Sequence, residues 1–139
     1  MNEELIEAQV SAARIVCSQM TSRHLKALHD SVEQACRVPA AVQWQRKAAA
    51  HAEIFNVLAT ASSDPLAASV LTSGVGLACD LMVAAGRGVD GMITGSHRRI
   101  LAHLRGGDAE AAAREMDDHL HVLHYVWRLA QGTADQVSP

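Results

Sequence analysis

Apolar residues recur along this chain at intervals of three and four, a period that fits α-helices and leaves little room for strands. Leu5, Ala8, Ala12, Ile15 and Val16 form one such line over residues 2–20, and Leu25, Leu28, Val32 and Cys36 form the next, for which Thr21 or Ser22 offers a cap. Val38-Pro39 ends it, because the residue before a proline avoids the α region. A third helix is expected over 39–61, with Trp44, Ala48, Ile54, Phe55 and Leu58 on its apolar side. Asp64-Pro65 opens a fourth over 65–85, the aspartate as cap and the proline where a missing N–H costs nothing. Gly74 and Gly76 lie inside it, each costing about 1 kcal/mol relative to alanine unless close packing or ligand space compensates. Gly86-Arg87-Gly88 closes that segment. A fifth helix is expected from near Asp90 to Gly106-Gly107, and Asp108 caps a last one running to about Gln131, followed by a polar, frayed tail over 132–139. Strand alternation, repeats and linkers are missing, so the expectation is one all-α domain over 1–131, an antiparallel bundle of about six helices.

Composition agrees with that architecture. Apolar residues make up 49% of the chain, much of it alanine, and the aromatics are only Trp44, Phe55, Tyr125 and Trp127. Small side chains let helices approach closely, whereas a sheet would want β-branched and aromatic residues. At 139 residues one core suffices. Twelve basic and 15 acidic residues give a net charge of −3, and no stretch gathers Lys and Arg into a phosphate-binding face, which argues against direct contact with nucleic acid. Cys17, Cys36 and Cys79 stand singly, without the short spacings of zinc or redox sites, and read as small core residues in a reducing compartment. The first residues are acidic rather than signal-like, and no uninterrupted run of about 18 apolar residues occurs, so a cytoplasmic location away from membranes is expected.

Eight histidines are many for this length, and their register against the apolar stripes sorts them. His51 precedes Ile54 by three and Phe55 by four, His97 follows Ile93 by four and precedes Ile100 by three, and His119 follows Met116 by three. Side chains so spaced share a face, so three imidazoles from three helices are expected to point inward. His103 falls with Arg99 on a polar side, His121 and His124 fall with Arg128 on the outer face of the last helix, and His24 and His29 have no assigned side. Each inward ring alone fits a core imidazole hydrogen-bonded to a neighbour. Three together also fit a divalent metal such as zinc or nickel, for which neutral imidazole is the commonest ligand, with positions left for water or a small molecule.

The run HRRILAHLRGGDAEAAAREMDDHL, from His97 to Leu120, resembles the C-terminal part of the FCD domain, the effector-sensing half of FadR-subfamily GntR transcription regulators. His97 opens its H-R-x-I-L helix, Gly107-Asp108 starts the next, and His119 follows eleven residues after the aspartate. AARIVCSQMTSRHLKAL (12–28) is similar to the family's first helix junction, and LATASSDP (58–65) to its Leu-Ala-x-Ala-Ser-Gly-Asn-Pro turn. The resemblance implies a divalent metal held by an aspartate, a histidine four residues later and two later histidines. His97 and His119 match the last two, while His51 stands at the aspartate position and Phe55 at the first histidine position. It therefore implies a three-histidine set, whose undiminished dication favours an anionic fourth ligand such as a carboxylate. The arginine with which the family commonly meets that carboxylate is not matched, since Leu5 and Ile6 stand near its position. The winged helix that reads DNA in the family is not among these residues.

The expected function is therefore effector sensing without catalysis: a homodimeric domain that binds a small carboxylate through metal ligands His51, His97 and His119, in a pocket lined by Phe55, Leu58, Met116 and Leu123. The alternative is a helical partner-binding or structural module whose pocket has decayed and holds no metal, favoured by the unmatched arginine and by Phe55. Catalysis has less support, because a di-iron bundle needs Glu-x-x-His pairs on facing helices. Moreover Glu53, two positions from His51, points away from the shared face.

Overall fold

Helix boundaries fall where free backbone N–H and C=O groups find side-chain or turn partners. The computed structural model describes residues 3–137, with side chains from 4 to 132. Among the described residues there are no strands, and seven α-helices follow one another. They are α1 (Glu3–Cys17), α2 (Ser22–Arg37), α3 (Trp44–Ala52), α4 (Ile54–Thr60), α5 (Pro65–Ala85), α6 (Asp90–Arg105) and α7 (Ala109–Val137), and a 3-10 turn, Arg87–Val89, leads into α6. The cap of α2 is Thr21, whose Oγ1 accepts from the His24 N–H at 3.4 Å while its own N–H donates to His24 Nδ1 at 3.1 Å. Asp64 caps α5 through the Leu66 N–H at 3.0 Å, and Asp108 caps α7 through the Ala111 N–H at 3.0 Å. Gly86 (φ 86°) and Gly107 (φ 76°), just after α5 and α6, have the positive φ that glycine adopts without steric cost.

Two boundaries differ from expectation. The single third helix is two: residues 40–42 form a turn, α3 starts at Trp44, and one tightened turn, Glu53 N–H to Ala50 O at 3.3 Å, separates α3 from α4. Neither proline nor glycine marks that break. At the other end, α7 continues to Val137 rather than stopping near Gln131, while residues 138–139 lie outside the described residues.

Helix α5 is the hub, packing on α1, α3, α4 and α7, while α7 also takes α1 and α6, and α2 lies across α3, α4 and α6. By length and composition α5 is apolar enough to cross a membrane, although Asp80 and several hydroxyl side chains interrupt it. Its packing against four helices gives that apolarity a use inside the bundle. At Gly74 the Gln9 side chain of α1 reaches α5: a Cβ there would run into its amide. Gln9, buried, donates through Nε2 to Val70 O at 2.6 Å and ties the two helices together. Buried histidine rings of α3, α6 and α7 come into contact beside this layer.

Candidate functional site

Helical register brings His51 of α3, His97 of α6 and His119 of α7 inward, and all three are at most 2% exposed. The rings of His51 and His97 have centroids 5.7 Å apart, and those of His97 and His119 5.0 Å apart, both edge to face. Trp44 packs 6.4 Å from His51 and donates its indole N–H to Met82 O at 3.1 Å, which anchors the start of α3 to α5.

The three rings differ in what they bond. His51 Nε2 lies 2.8 Å from Asp90 Oδ1, at the start of α6. Asp90 Oδ2 lies 3.6 Å from Lys47 Nζ, and Lys47, 6% exposed, also reaches Cys36 O at 3.4 Å. Both nitrogens of His97 and both of His119 have no hydrogen-bond partner. Four of the seven buried, unpartnered side-chain atoms among the described residues thus sit in two touching rings. A buried polar group left in this state costs about 1–3 kcal/mol, so the pair is a concentrated penalty that a bound species would relieve.

Burial keeps the cluster neutral. It drives the His97 imidazole well below its ordinary range, helped by repulsion from His119 and His51. His119 is pushed down to about 4, burial outweighing the attraction of Glu115. Burial also lowers His51, against the pull of Asp90. Neutral imidazoles with unused lone pairs are what a borderline-soft dication takes up, so the donor chemistry of the pair fits a metal. The third arm is not closed around a common point: among the described residues no group of three or more His, Cys, Asp or Glu side chains is arranged to hold an ion.

Phe55, Leu58, Met116 and Leu123, the expected pocket residues, are core side chains no more than 1% exposed, and other residues line the described cavities. The cleft that reaches the cluster is a space of about 170 Å³ between α6 and α7, where His119 meets Ser96, Arg99, Glu115 and Asp118. Arg99 spans it to Glu115 at 2.7 Å, and holds that carboxyl below its ordinary range even though burial opposes the shift. His124 is corrected: it is buried, not outward, and stacks on Trp127 with centroids 5.9 Å apart. It lies four residues after the buried Leu120, and α7 is covered by α1, α5 and α6, so its buried arc is wider than one stripe. Glu53 is exposed and accepts from Asn56 Nδ2 at 3.1 Å, away from the cluster.

Asp90 and Lys47 are the members that sequence reasoning missed. Lys47 was within reach of it, standing four residues before His51 on the same face. Asp90 carried no such signal, because its partners are on another helix and its position reads as an ordinary helix start.

Comparison with curated proteins gives no match, nor does comparison with solved structures. The family described as FCD domain matches residues 4–122, nearly the whole bundle and all three inward histidines. The chain belongs to the FCD domain family, the effector-binding domain of GntR-family regulators.

Proposed function

We propose that this domain senses a small organic acid on behalf of a GntR-type regulator of the FadR subfamily. The observation that carries the reading is the His97–His119 pair, four imidazole nitrogens buried together without partners. On this reading His51, His97 and His119 hold a divalent ion such as zinc or nickel. When bound, the ion supplies positive charge and open coordination positions for a carboxylate. The buried Lys47, one helical turn from His51, is already paired with Asp90, so the ion itself is the charge that the acid meets. The domain works as a cytoplasmic homodimer, and DNA is read by another part of the regulator. The acid shifts the dimer between two arrangements to the extent that it binds them unequally.

The test is metal analysis of protein purified without a histidine tag, followed by isothermal titration with a panel of mono- and dicarboxylates. Bound metal and heat from at least one acid are expected, both lost in the His97→Ala/His119→Ala protein. Absence of both in the wild type removes the sensing function. The tight packing of Phe55, Leu58, Met116 and Leu123 favours a second reading, a partner-binding helical module with no working pocket. That module would bind neither metal nor acid.

A further inference from the structure

Asp90 stands 39 residues from His51 and on a different helix, yet its two oxygens divide between two buried groups of α3: Oδ1 to His51 Nε2 at 2.8 Å and Oδ2 to Lys47 Nζ at 3.6 Å. A carboxylate only accepts hydrogen bonds, so a neutral His51 must carry its proton on Nε2, and its lone pair falls on Nδ1. Without that acceptor the two tautomers compete, and any ring that carries its proton on Nδ1 presents an N–H where a ligand needs a lone pair. Lys47, on the same face of α3, forms an ion pair with the second oxygen. Metal-bound imidazoles are generally held in this way, one nitrogen on the ion and the other donating to a carboxylate that sets tautomer, orientation and basicity.

We infer that Asp90 is a positioning residue for the histidine centre: held by Lys47, it locks His51 in the Nε2–H tautomer and so makes Nδ1 the nitrogen that can ligate. The inference rests on the metal site proposed above.

The experiment compares wild type, Asp90→Ala, and Lys47→Met/Asp90→Ala, the double variant removing the buried ammonium that the single one leaves without a counter-ion. Long-range 1H–15N spectra of the metal-free proteins report the His51 tautomer directly, and zinc titration against a competing chelator reports affinity. Wild type is expected to show His51 as Nε2–H, both variants a larger share of the Nδ1–H ring, and both a zinc affinity lower by about 10- to 100-fold. An Nδ1–H ring in the wild type overturns the inference. So does zinc affinity unchanged in the double variant while the wild type binds zinc, an outcome that leaves the three-histidine centre standing. No zinc uptake by the wild type removes the centre and the role of Asp90 with it.

Discussion

A buried imidazole with neither nitrogen hydrogen-bonded is a costly residue, and this domain keeps two of them in contact. Leucine has nearly the volume of histidine and no polar atoms. His119→Leu is therefore expected to stabilise the metal-free protein by about 1–3 kcal/mol, raising its urea midpoint, while abolishing metal uptake. A histidine that merely served the core through a good hydrogen bond would show the opposite sign. The same residue sets a pH dependence. Folded His119 stays neutral down to about pH 4, whereas in the unfolded chain it takes up a proton near 6.5. Between those values the unfolded state binds more protons, so this contribution to stability is fully present above 6.5 and is lost as pH falls toward 4. The gap corresponds to about 3 kcal/mol, and the depressed His97 acts in the same direction. Urea melts of the metal-free protein at pH 7, 6 and 5 should show the decline, and His119→Leu should flatten it. Parallel slopes in the two proteins would mean that His119 is not held neutral by the fold.

Along the helices, two glycines of α5 separate packing from propensity. Alanine at Gly74 would put a methyl group into the side-chain amide of Gln9, whereas at the exposed Gly76 nothing lies within 4 Å. Gly76→Ala is expected to raise stability by up to about 1 kcal/mol, the ordinary helix gain. Gly74→Ala should lower it by about 1 kcal/mol, because Gln9 must give up its bond to Val70 O, and the loss should shrink in a Gln9→Ala background. Thermal melts of the five proteins, wild type, Gly76→Ala, Gly74→Ala, Gln9→Ala and Gly74→Ala/Gln9→Ala, decide it, and equal gains at both glycines would refute the close approach of the Gln9 side chain. The contrast illustrates what could be read in advance. The bounds of α5 follow from Asp64-Pro65 and Gly86, local chemistry that acts wherever it occurs. The break at Glu53 has no such marker, and a single apolar stripe puts His124 outside although α7 is covered from three sides. Face-sharing was legible for His51, His97 and His119 since it depends only on the 3.6-residue period. The Asp90–His51 pair was not, because no local rule states which residues of two helices 39 positions apart come together.

At the scale of the molecule, the histidine cluster lies where a ligand would join elements that otherwise pack on different neighbours. Helix α3 packs chiefly on α2 and α5, while α6 packs on α7 and α2, and the described polar ties from α3 to α6 run through Asp90 to His51 and Lys47. An ion held by His51, His97 and His119 would fasten α3, α6 and α7 to one point. Binding confined to the folded state adds RT ln(1 + [L]/Kd), about 2.7 kcal/mol at a hundredfold excess over Kd, and for a domain of this size that is a rise in Tm of roughly 8 °C. A surface histidine could give a small shift too, so the location of the effect matters more than its size. Hydrogen exchange with and without zinc should show new protection in residues 44–52 and 90–105, which are linked by the Asp90 contacts and by the His51–His97 ring contact, and little change in α5, which the bundle already holds on several sides. A shift in Tm without protection in those two segments would locate the metal elsewhere, and protection spread evenly over the bundle would mean global stabilisation without the three-helix tie.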